Sequence, residues 1–358
     1  MRFSLLEKGV APKSCRGFTL VELMIALTLG LLLTIVIGYG YLASRQAFRT
    51  VDTLSRMQEN ARYVFELMSH DIRMAGFTGC RYIPPGSPPA AARNVLNTPT
   101  DWYKNLFGAP LVGYEEGVSV FPSDNYGVAL PALRGDALTV LRADNSREYI
   151  VNNHNAGATQ IQLTANHNFG QGEILVVADC ANAAVFQASA ISSDTITHGA
   201  VGTAPGNASA NLGTTFPANS SRIMPLSAVN YYIGTNASGE PALYRHKLAA
   251  SGGGAATVAE ELAEGAENMQ ITYGVDTSAL ADKAADGYVP AASALGGPAV
   301  TDWSRVLSVR ISLLMVSRSD QAITTAPQAY TYNGATTTPA DRLLRKVFTT
   351  TISVRNRL

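Results

Sequence analysis

The sequence predicts an α+β protein in which one long N-terminal helix is followed by a mostly antiparallel β-sheet region. Three observations lead to this fold class: a charge-free apolar run at 23–43, an apolar stripe that continues to Ala75, and short alternating runs from Ala137 onward. The first two favour one continuous helix, and the third favours strands bounded by turn residues.

The charge of the chain excludes few functions by itself. Lys and Arg together equal Asp and Glu at 27 each among 358 residues, so the net charge supports neither a nucleic acid nor an acidic substrate as partner. The balance is uneven, since the first 17 residues carry four basic residues against Glu7 alone. Basic residues before an apolar segment stay in the cytoplasm, so everything after Ala43 is expected in the periplasm.

The charge-free run 23–43 is long enough for a membrane-spanning helix, which needs about 20 apolar residues. A secretory signal has a shorter apolar core and a small-residue cleavage site, and neither fits this run. An uncleaved membrane anchor is the simpler alternative. Glu22 argues against it, because a carboxylate at the head of an apolar run costs free energy that a plain anchor leaves uncompensated.

The segment around Glu22 resembles a known processing signal. Residues 16–23 read Arg-Gly-Phe-Thr-Leu-Val-Glu-Leu and are similar to the type IV prepilin cleavage motif at each defining position. The resemblance implies that a membrane-embedded prepilin peptidase cuts after Gly17, so that 1–17 is a leader, and methylates the new amino terminus of Phe18. It also implies that Glu22 attracts the amino group of a neighbouring subunit during assembly, in a medium that screens charge little. The alternative for Glu22 is a carboxylate that snorkels to the membrane interface.

Helical periodicity continues beyond the membrane segment. Apolar residues recur at three- and four-residue steps with charged residues between them, at Ala47, Val51, Leu54, Met57, Ala61, Val64, Met68, Ile72 and Ala75. This pattern predicts one helix over 18–76 that stops near Gly76. Residues 18–43 are its transmembrane and filament-core part, and the amphipathic upper half packs one apolar stripe on a globular domain.

The rest of the chain reads as a β-rich region. Scattered Pro, Gly and Asn predict an irregular connection over 77–136, and short apolar or alternating runs predict strands at 137–143, 173–178, 184–191, 229–233, 269–274, 306–316 and 347–354. The segment 199–221 reads as a long loop, so a boundary near 199–225 is one way to divide 137–358 into two sub-sheets. We expect a flexible stretch at 251–254 and a short helix at 258–264.

Several later segments are similar to those of one branch of pilins. They are 73–80, 178–180, 231–233, 243–245, 261–269, 273–276, Trp303 with 306–314, and 349–356. These segments resemble the PilW family of large minor pilins, which implies a type IV pilin-like fold with the long helix packed on an antiparallel sheet. The resemblance also implies a subunit that joins other minor pilins in a complex that starts and caps the pilus. Residues 81–136 and 199–225 match nothing in this family, so any special binding property that the protein has is expected to lie there.

The cysteines lie at positions 15, 80 and 180. Removal of the leader takes Cys15 away and leaves Cys80 and Cys180 beyond the membrane segment, where an oxidising periplasm favours a disulfide between them. Two buried free thiols are the alternative.

Sequence motifs for catalysis or cofactor binding are absent. The five histidines show no metal-ligand spacing, and the chain has no nucleophile elbow, P-loop or dinucleotide fingerprint. Asp276 and Asp302 lack the spacing of a calcium loop and are expected to be exposed loop carboxylates. We therefore expect no enzyme activity, no catalytic residue, no metal and no cofactor.

Four functions compete on the sequence alone. The first is a minor pilin, whose partners are the prepilin peptidase and methyltransferase, the other minor pilins and the major pilin through the N-terminal helix, the assembly platform in the inner membrane, and the lipid bilayer. The second is a minor pseudopilin of a type II secretion system, which shares the leader and Glu22. The third is a tip adhesin or DNA-capture module, although no basic aromatic surface indicates nucleic acid. The fourth is a membrane-tethered envelope enzyme, for which the sequence shows no catalytic motif. The first is preferred, with the inner membrane and then the pilus surface as its locations.

Overall fold

The computed structural model describes residues 17–79, 92–98, 102–119, 134–200, 204–280, 282–293, 297–318, 324 and 326–357. Within these residues the chain forms the helix α1 (Leu20–Arg73) and 18 strands. The strands are β1 (Ala92–Asn94), β2 (Leu111–Tyr114), β3 (Ala137–Ala143), β4 (Tyr149–Asn153), β5 (Gln160–Leu163), β6 (Ile174–Ala178), β7 (Ala183–Gln187), β8 (Ala190–Ile191), β9 (Thr195–Thr197), β10 (Arg222–Thr235), β11 (Pro241–Ser251), β12 (Gly254–Glu264), β13 (Ala266–Val275), β14 (Gly287–Val289), β15 (Val306–Val316), β16 (Tyr330–Tyr332), β17 (Ala335–Thr337) and β18 (Arg345–Ser353).

The chain divides into two compact units, Met1–Asp52 and Thr53–Leu358. In the described part of the first unit, every residue from Gly17 to Arg45 is exposed. The apolar stretch of α1 reaches a mean hydropathy of 2.6 over 18 residues, and the helix is long and apolar enough to cross a membrane. This unit therefore presents an uncovered apolar helix.

The second unit begins with the upper part of α1, which buries one face. Met57, Ala61, Val64, Met68 and Ile72 are buried at three- and four-residue steps. The predicted stripe is exposed at Ala47 and Val51, half-buried at Leu54 and buried from Met57 onward.

The helix ends shortly before Gly76, the stop that the sequence predicts. Arg73 is the last helical residue, and Gly76 has a φ of +75°. A side chain disfavours this left-handed backbone. The amide of Gly76 donates instead to the carbonyl of Leu141 in β3, so the chain leaves the helix by joining the sheet.

The largest sheet has 12 strands and branches at β10. The first part of this long strand pairs with β4 and β6, and the rest pairs with β3 and β11. All pairs in the described sheets are antiparallel except β1 with β7. The predicted α+β class, a long helix followed by mostly antiparallel sheet, is confirmed.

A second sheet, in the order β14-β13-β15-β18, packs in the same core as the upper part of α1. The core between them contains Met57, Val64, Met68 and Ile72 from the helix, Leu138 and Val140 from β3, Tyr231 and Ile233 from β10, Ile271 and Tyr273 from β13, Val309 and Ile311 from β15, and Ile352 from β18. Each fully buried apolar side chain stabilises the fold by roughly 1.5–3 kcal/mol. The helix and both sheets thus share one hydrophobic core.

The expected short helix at 258–264 is wrong, because these residues belong to β12. Ala and Glu gave the segment a high helix propensity, but β12 pairs with β11 from Ser251↔Gly254 to Ala242↔Glu264. The expected flexible stretch is the turn of this hairpin, in which Gly252 and Gly253 have φ of 59° and 82°. Two central residues with positive φ are the signature of a tight hairpin turn.

Two further expectations for the globular region need correction. The connection 77–136 is not wholly irregular, since it contains β1 and β2, which pair with β7 and β3. The loop around 199–225 does not separate two sub-sheets, because strands on both sides of it belong to the same sheet. The described part of this loop is packed, with Leu212 and Phe216 buried beside β5 and β7 residues.

Candidate functional site

The start of α1 is fixed by reciprocal hydrogen bonds between Thr19 and Glu22. The amide of Glu22 donates to Thr19 Oγ1 at 3.2 Å, and the amide of Thr19 donates to Glu22 Oε2 at 3.0 Å. Thr19 Oγ1 also donates to the same carboxylate oxygen. This arrangement is a capping box, which satisfies amide groups that the first helical turn leaves without partners.

Gly17 and Phe18 lie just outside this cap. Both are non-helical and exposed, and Phe18 has an exposed fraction of 89%. A peptidase needs accessible, non-helical backbone. Gly17 and Phe18 both provide such backbone at the bond between them. The remainder of the predicted leader, including Arg16, lies outside the described residues.

Glu22 occupies the first turn of the helix, in the exposed apolar surface. A negative charge is favourable there because the helix dipole is positive at this end. Cleavage after Gly17 would create an amino terminus at Phe18, next to the capping residue. A carboxylate that already accepts N–H and O–H groups at this end can also accept an amino group from another chain.

Sequence reasoning assigned Glu22 to assembly and missed its contact with Thr19. The signal was present, since Thr-x-x-Glu before an apolar run is typical of a helix N-terminus. The cap engages Oε2 of the Glu22 carboxylate, and the predicted assembly role would use the same side chain.

A buried polar cluster joins the upper part of α1 to the large sheet. Asp71 is only 3% exposed; its carboxylate accepts from Arg142 Nε of β3 at 3.0 Å and from the hydroxyl of Tyr231 of β10 at 2.6 Å. Arg142 also pairs with Asp144 at 3.2 Å. Burial, and secondarily the Asp71 charge, hold the pKa of Tyr231 well above its usual value. The cluster fixes the helix on the sheet by directional contacts that the sequence did not reveal.

Of the predicted disulfide cysteines, the structure describes one. Cys180 lies in the turn between β6 and β7, where the Asp179 carboxylate accepts from the amides of Ala181 and Asn182. Cys80 and Cys15 lie outside the described residues. Gly79, which precedes Cys80, is close to the end of β6: a methyl group built on it would lie 3.6 Å from Ala178 Cβ.

The loop carboxylates Asp276 and Asp302 both accept hydrogen bonds from nearby backbone. Asp302 is exposed, as expected, and caps a short 3₁₀ helix. The expectation that Asp276 is exposed is wrong, because its side chain is buried and its carboxylate accepts from Ser278 N and Lys283 N. Arg245 and Lys247 both pair with Glu260 across the β11–β12 hairpin. Within the described residues, no three His, Cys, Asp or Glu side chains come together in a way that could hold a metal ion.

An exposed apolar helix with a processing motif at its start, followed by a β-rich domain, is consistent with a pilin-like fold. Residues 12–38 match the model of the prokaryotic N-terminal methylation motif, and residues 230–356 match that of the type IV pilus-assembly protein W. The predicted likeness to the PilW family is confirmed over residues 230–356, and the two matches together support a pilin associated with type IV pili. The methylation motif implies processing by a prepilin peptidase, and the motif together with the apolar helix indicates membrane anchoring.

The matched ranges cover the motifs from Tyr231 onward and the leader motif, but not the two cysteine-bearing segments. Pilin-family domains are structural and not enzymatic. No curated protein and no solved structure matches the chain.

Proposed function

We propose that this chain is a minor pilin that is stored in the inner membrane and built into the initiation or tip complex of a type IV pilus. The observation that carries the proposal is the uncovered apolar helix, which begins directly after the cleavage motif and holds Glu22 in its first turn. Such a surface is stable in lipid or against the helices of other subunits. On assembly the chain exchanges its contacts with lipid for contacts with those helices.

In this proposal Gly17 and Phe18 act in processing, and Glu22 acts in assembly. The peptidase cuts between Gly17 and Phe18 and methylates Phe18, with the domain after the anchor in the periplasm. Glu22 then aligns the chain with a neighbour by accepting its amino terminus, in a low-dielectric environment where the attraction is strong. The match of residues 230–356 to a pilus-assembly family supports a pilus subunit over a secretion pseudopilin.

The first test separates the charge of Glu22 from its capping role. Gln at this position still completes a capping box but carries no charge. We expect Glu22→Gln and Glu22→Ala both to be cut after Gly17 and to abolish surface piliation. Glu59→Ala, at an exposed helical position, is the matched control and should leave piliation unchanged.

Mass spectrometry of the mature amino terminus and counts of surface pili provide the two readouts. An uncut chain with normal piliation would overturn the proposed function. If Glu22→Gln keeps normal piliation while Glu22→Ala loses it, the carboxylate acts only as a helix cap and its role in subunit alignment is wrong.

We also propose the disulfide between Cys80 and Cys180. Gly79 lies beside Ala178, so the two cysteines follow backbone positions that are already neighbours. The hydrogen bonds of Asp179 hold the turn that carries Cys180. The bridge would tie the segment after the helix to the β6–β7 hairpin.

A further inference from the structure

An open groove of about 930 Å³ lies within the second unit, between the upper part of α1 and β18. Gln58, Phe65 and Ser69 contribute to the helical wall, and Phe348 and Thr349 of β18 contribute to the opposite wall. Phe65 and Phe348 are half-buried and pack against the main core. The groove thus has an aromatic floor that remains partly uncovered.

The rim of the groove is basic. Arg62, Arg73 and Arg355 line it and are exposed, whereas Glu66 is the acidic residue among the lining side chains. Within the described residues, none of the three guanidinium groups has an ion-pair partner. Unpaired arginines around a concave surface favour a ligand that carries carboxylates, which arginine binds with two parallel hydrogen bonds.

One wall of the groove is also a sheet edge. β18 pairs with β15 along Arg345–Ser353 and ends the strand order of the four-stranded sheet, so in the described chain its outer edge has no partner strand. An edge of nine residues presents backbone N–H and C=O groups to an extended peptide. Lys346 on this edge is exposed and disfavours pairing with a basic strand.

We propose that this groove binds an extended, carboxylate-bearing segment of a different pilus subunit, which adds to β18 as a further strand. Its backbone would bond to the free edge, its apolar side chains would cover Phe65 and Phe348, and its carboxylates would meet Arg62, Arg73 and Arg355. Charge complementarity of this kind selects a partner and its register more than it adds affinity.

A second copy of this chain fits the groove less well. Its acidic edge strand is β12, but Glu260 is already paired with Arg245 and Lys247, Glu264 is paired with Arg318, and Glu261 accepts from Asn236 Nδ2. The acidic groups that would have to meet the groove are therefore engaged within their own chain. This favours a different subunit as the occupant.

The inference rests on the proposed function for the identity of the partner, and in-cell photo-crosslinking of the full chain tests it. The photoreactive residue p-benzoylphenylalanine replaces Thr349 on one wall or Gln58 on the other. We expect both positions to crosslink to a non-helical segment of another pilin that contains at least two carboxylates, identified by mass spectrometry. Tyr63, exposed on the same helix outside the groove, is the control position and should not give this product.

Charge variants test the rim. Arg62→Glu with Arg73→Glu should lower the Thr349 crosslink about fivefold or more, and the corresponding lysine variants should retain most of it. Arg342→Glu, an exposed arginine outside the groove, should have no effect. Equal crosslinking in the glutamate and wild-type chains would overturn the proposed chemistry of the occupant.

The remaining outcomes separate this inference from the proposed function. Cells with a mature Phe18 and normal pili but no Thr349 product, or with a product from a second copy, overturn the groove proposal alone. An uncut chain with normal piliation overturns the pilin role. In such cells the Thr349 product still reports whether an acidic strand occupies the groove.

Discussion

Asp71 shows how a single buried residue links the helix to the sheet. Its two carboxylate oxygens are used by Arg142 and by Tyr231, so each group in the cluster has a partner. Buried carboxylates are tolerated when they are paired and hydrogen-bonded, and become costly when one donor is removed. Asp71 is a charged residue between Met68 and Ile72 of the apolar stripe, so from the sequence it reads as an exposed helical residue.

Tyr231→Phe should therefore destabilise the globular region. The substitution leaves one oxygen of Asp71 buried without a donor, and we expect a loss of about 2 kcal/mol in the free energy of unfolding. Urea denaturation of the full chain in detergent, followed by tryptophan fluorescence, measures it. Tyr63→Phe is the control, since Tyr63 is exposed, and should change stability by less than about 0.5 kcal/mol. Equal midpoints for the two variants would contradict a structural role of the Asp71 cluster.

Two buried histidines make the β-rich region sensitive to acid. The rings of His154 and His198 lie 5.6 Å apart, next to Phe216 and Phe186. Burial, and then the neighbouring His154, lower the pKa of His198 to about 4. The unfolded chain takes up a proton near pH 6.5 and the folded chain does not, so stability is lost as pH falls from about 6.5 to about 4.

The predicted loss attributable to His198 is about 2 kcal/mol by pH 5. Asp136 acts in the opposite direction, because burial raises the pKa of its carboxyl to about 7. The comparison must therefore be between His198→Leu and the wild type at pH 7 and pH 5. We expect the unfolding free energy of the wild type to fall relative to the variant by this amount, and parallel pH profiles would show that His198 does not titrate on unfolding.

At the scale of elements, the upper end of α1 is completed by a distant side chain. Asn356 Nδ2 donates to the carbonyls of Met74 and Ala75 at 3.3 and 3.1 Å. The last carbonyls of a helix lack partners within it, so this amide acts as a C-terminal cap. Gly76 could be recognised as a stop from the sequence, but the cap could not, because 281 positions separate Asn356 from Ala75.

Asn356→Ala should destabilise the second unit by about 1 kcal/mol, and Asn356→Asp by more, because a carboxylate offers no donor and opposes the helix dipole. Thermal unfolding of the full chain in detergent ranks the stabilities of the wild type and the two Asn356 variants. Asn152→Ala is a suitable comparison, since Asn152 is exposed in β4. An aspartate variant as stable as the wild type would show that the cap contributes nothing.

The hairpin β11–β12 shows why strand prediction failed locally. The sequence of β12 favours a helix when it is read alone, yet cross-strand pairing with β11 and the ion pairs of Glu260 decide its conformation. The useful signal was the Gly252–Gly253 pair, which fits a two-residue hairpin turn. Strands such as β3 and β15 were predicted with the observed bounds because their apolar runs are long and continuous.

At the scale of the whole molecule, the predicted disulfide closes a long loop across the second unit. A loop of about 100 residues stabilises by up to about 4.7 kcal/mol in the chain-entropy model. We expect non-reducing peptide mass spectrometry of the mature chain to show Cys80 linked to Cys180. Cys80→Ser should lower the unfolding free energy by about 2–5 kcal/mol.

Cys15→Ser is the control for this experiment, because the proposed cleavage after Gly17 would remove Cys15. Both cysteines recovered as alkylated thiols without prior reduction would contradict the bridge. The disulfide and the groove on β18 involve different strands, so loss of the bridge should leave the Thr349 crosslink in any chain that still folds.

The sequence predicted the motif of the candidate site and not its contacts. Gly17, Phe18 and Glu22 are recognisable because their spacing is local, and the long helix because its periodicity is strong. Asp71, the histidine pair and the groove depend on residues that only the folded chain brings together.

The cap of α1 by Asn356 also sets an order of events in biogenesis. Residues 74 and 75 are made early, whereas their hydrogen-bond donor is made 281 or more positions later. β18 pairs with β15 and buries Ile352 in the shared core, and it is made only shortly before Asn356. The junction of helix and domain can mature only after residue 356 has left the ribosome and, for an exported chain, the translocation channel. A chain that stalls before β18 therefore keeps the end of the helix without its Asn356 cap and part of the core face uncovered.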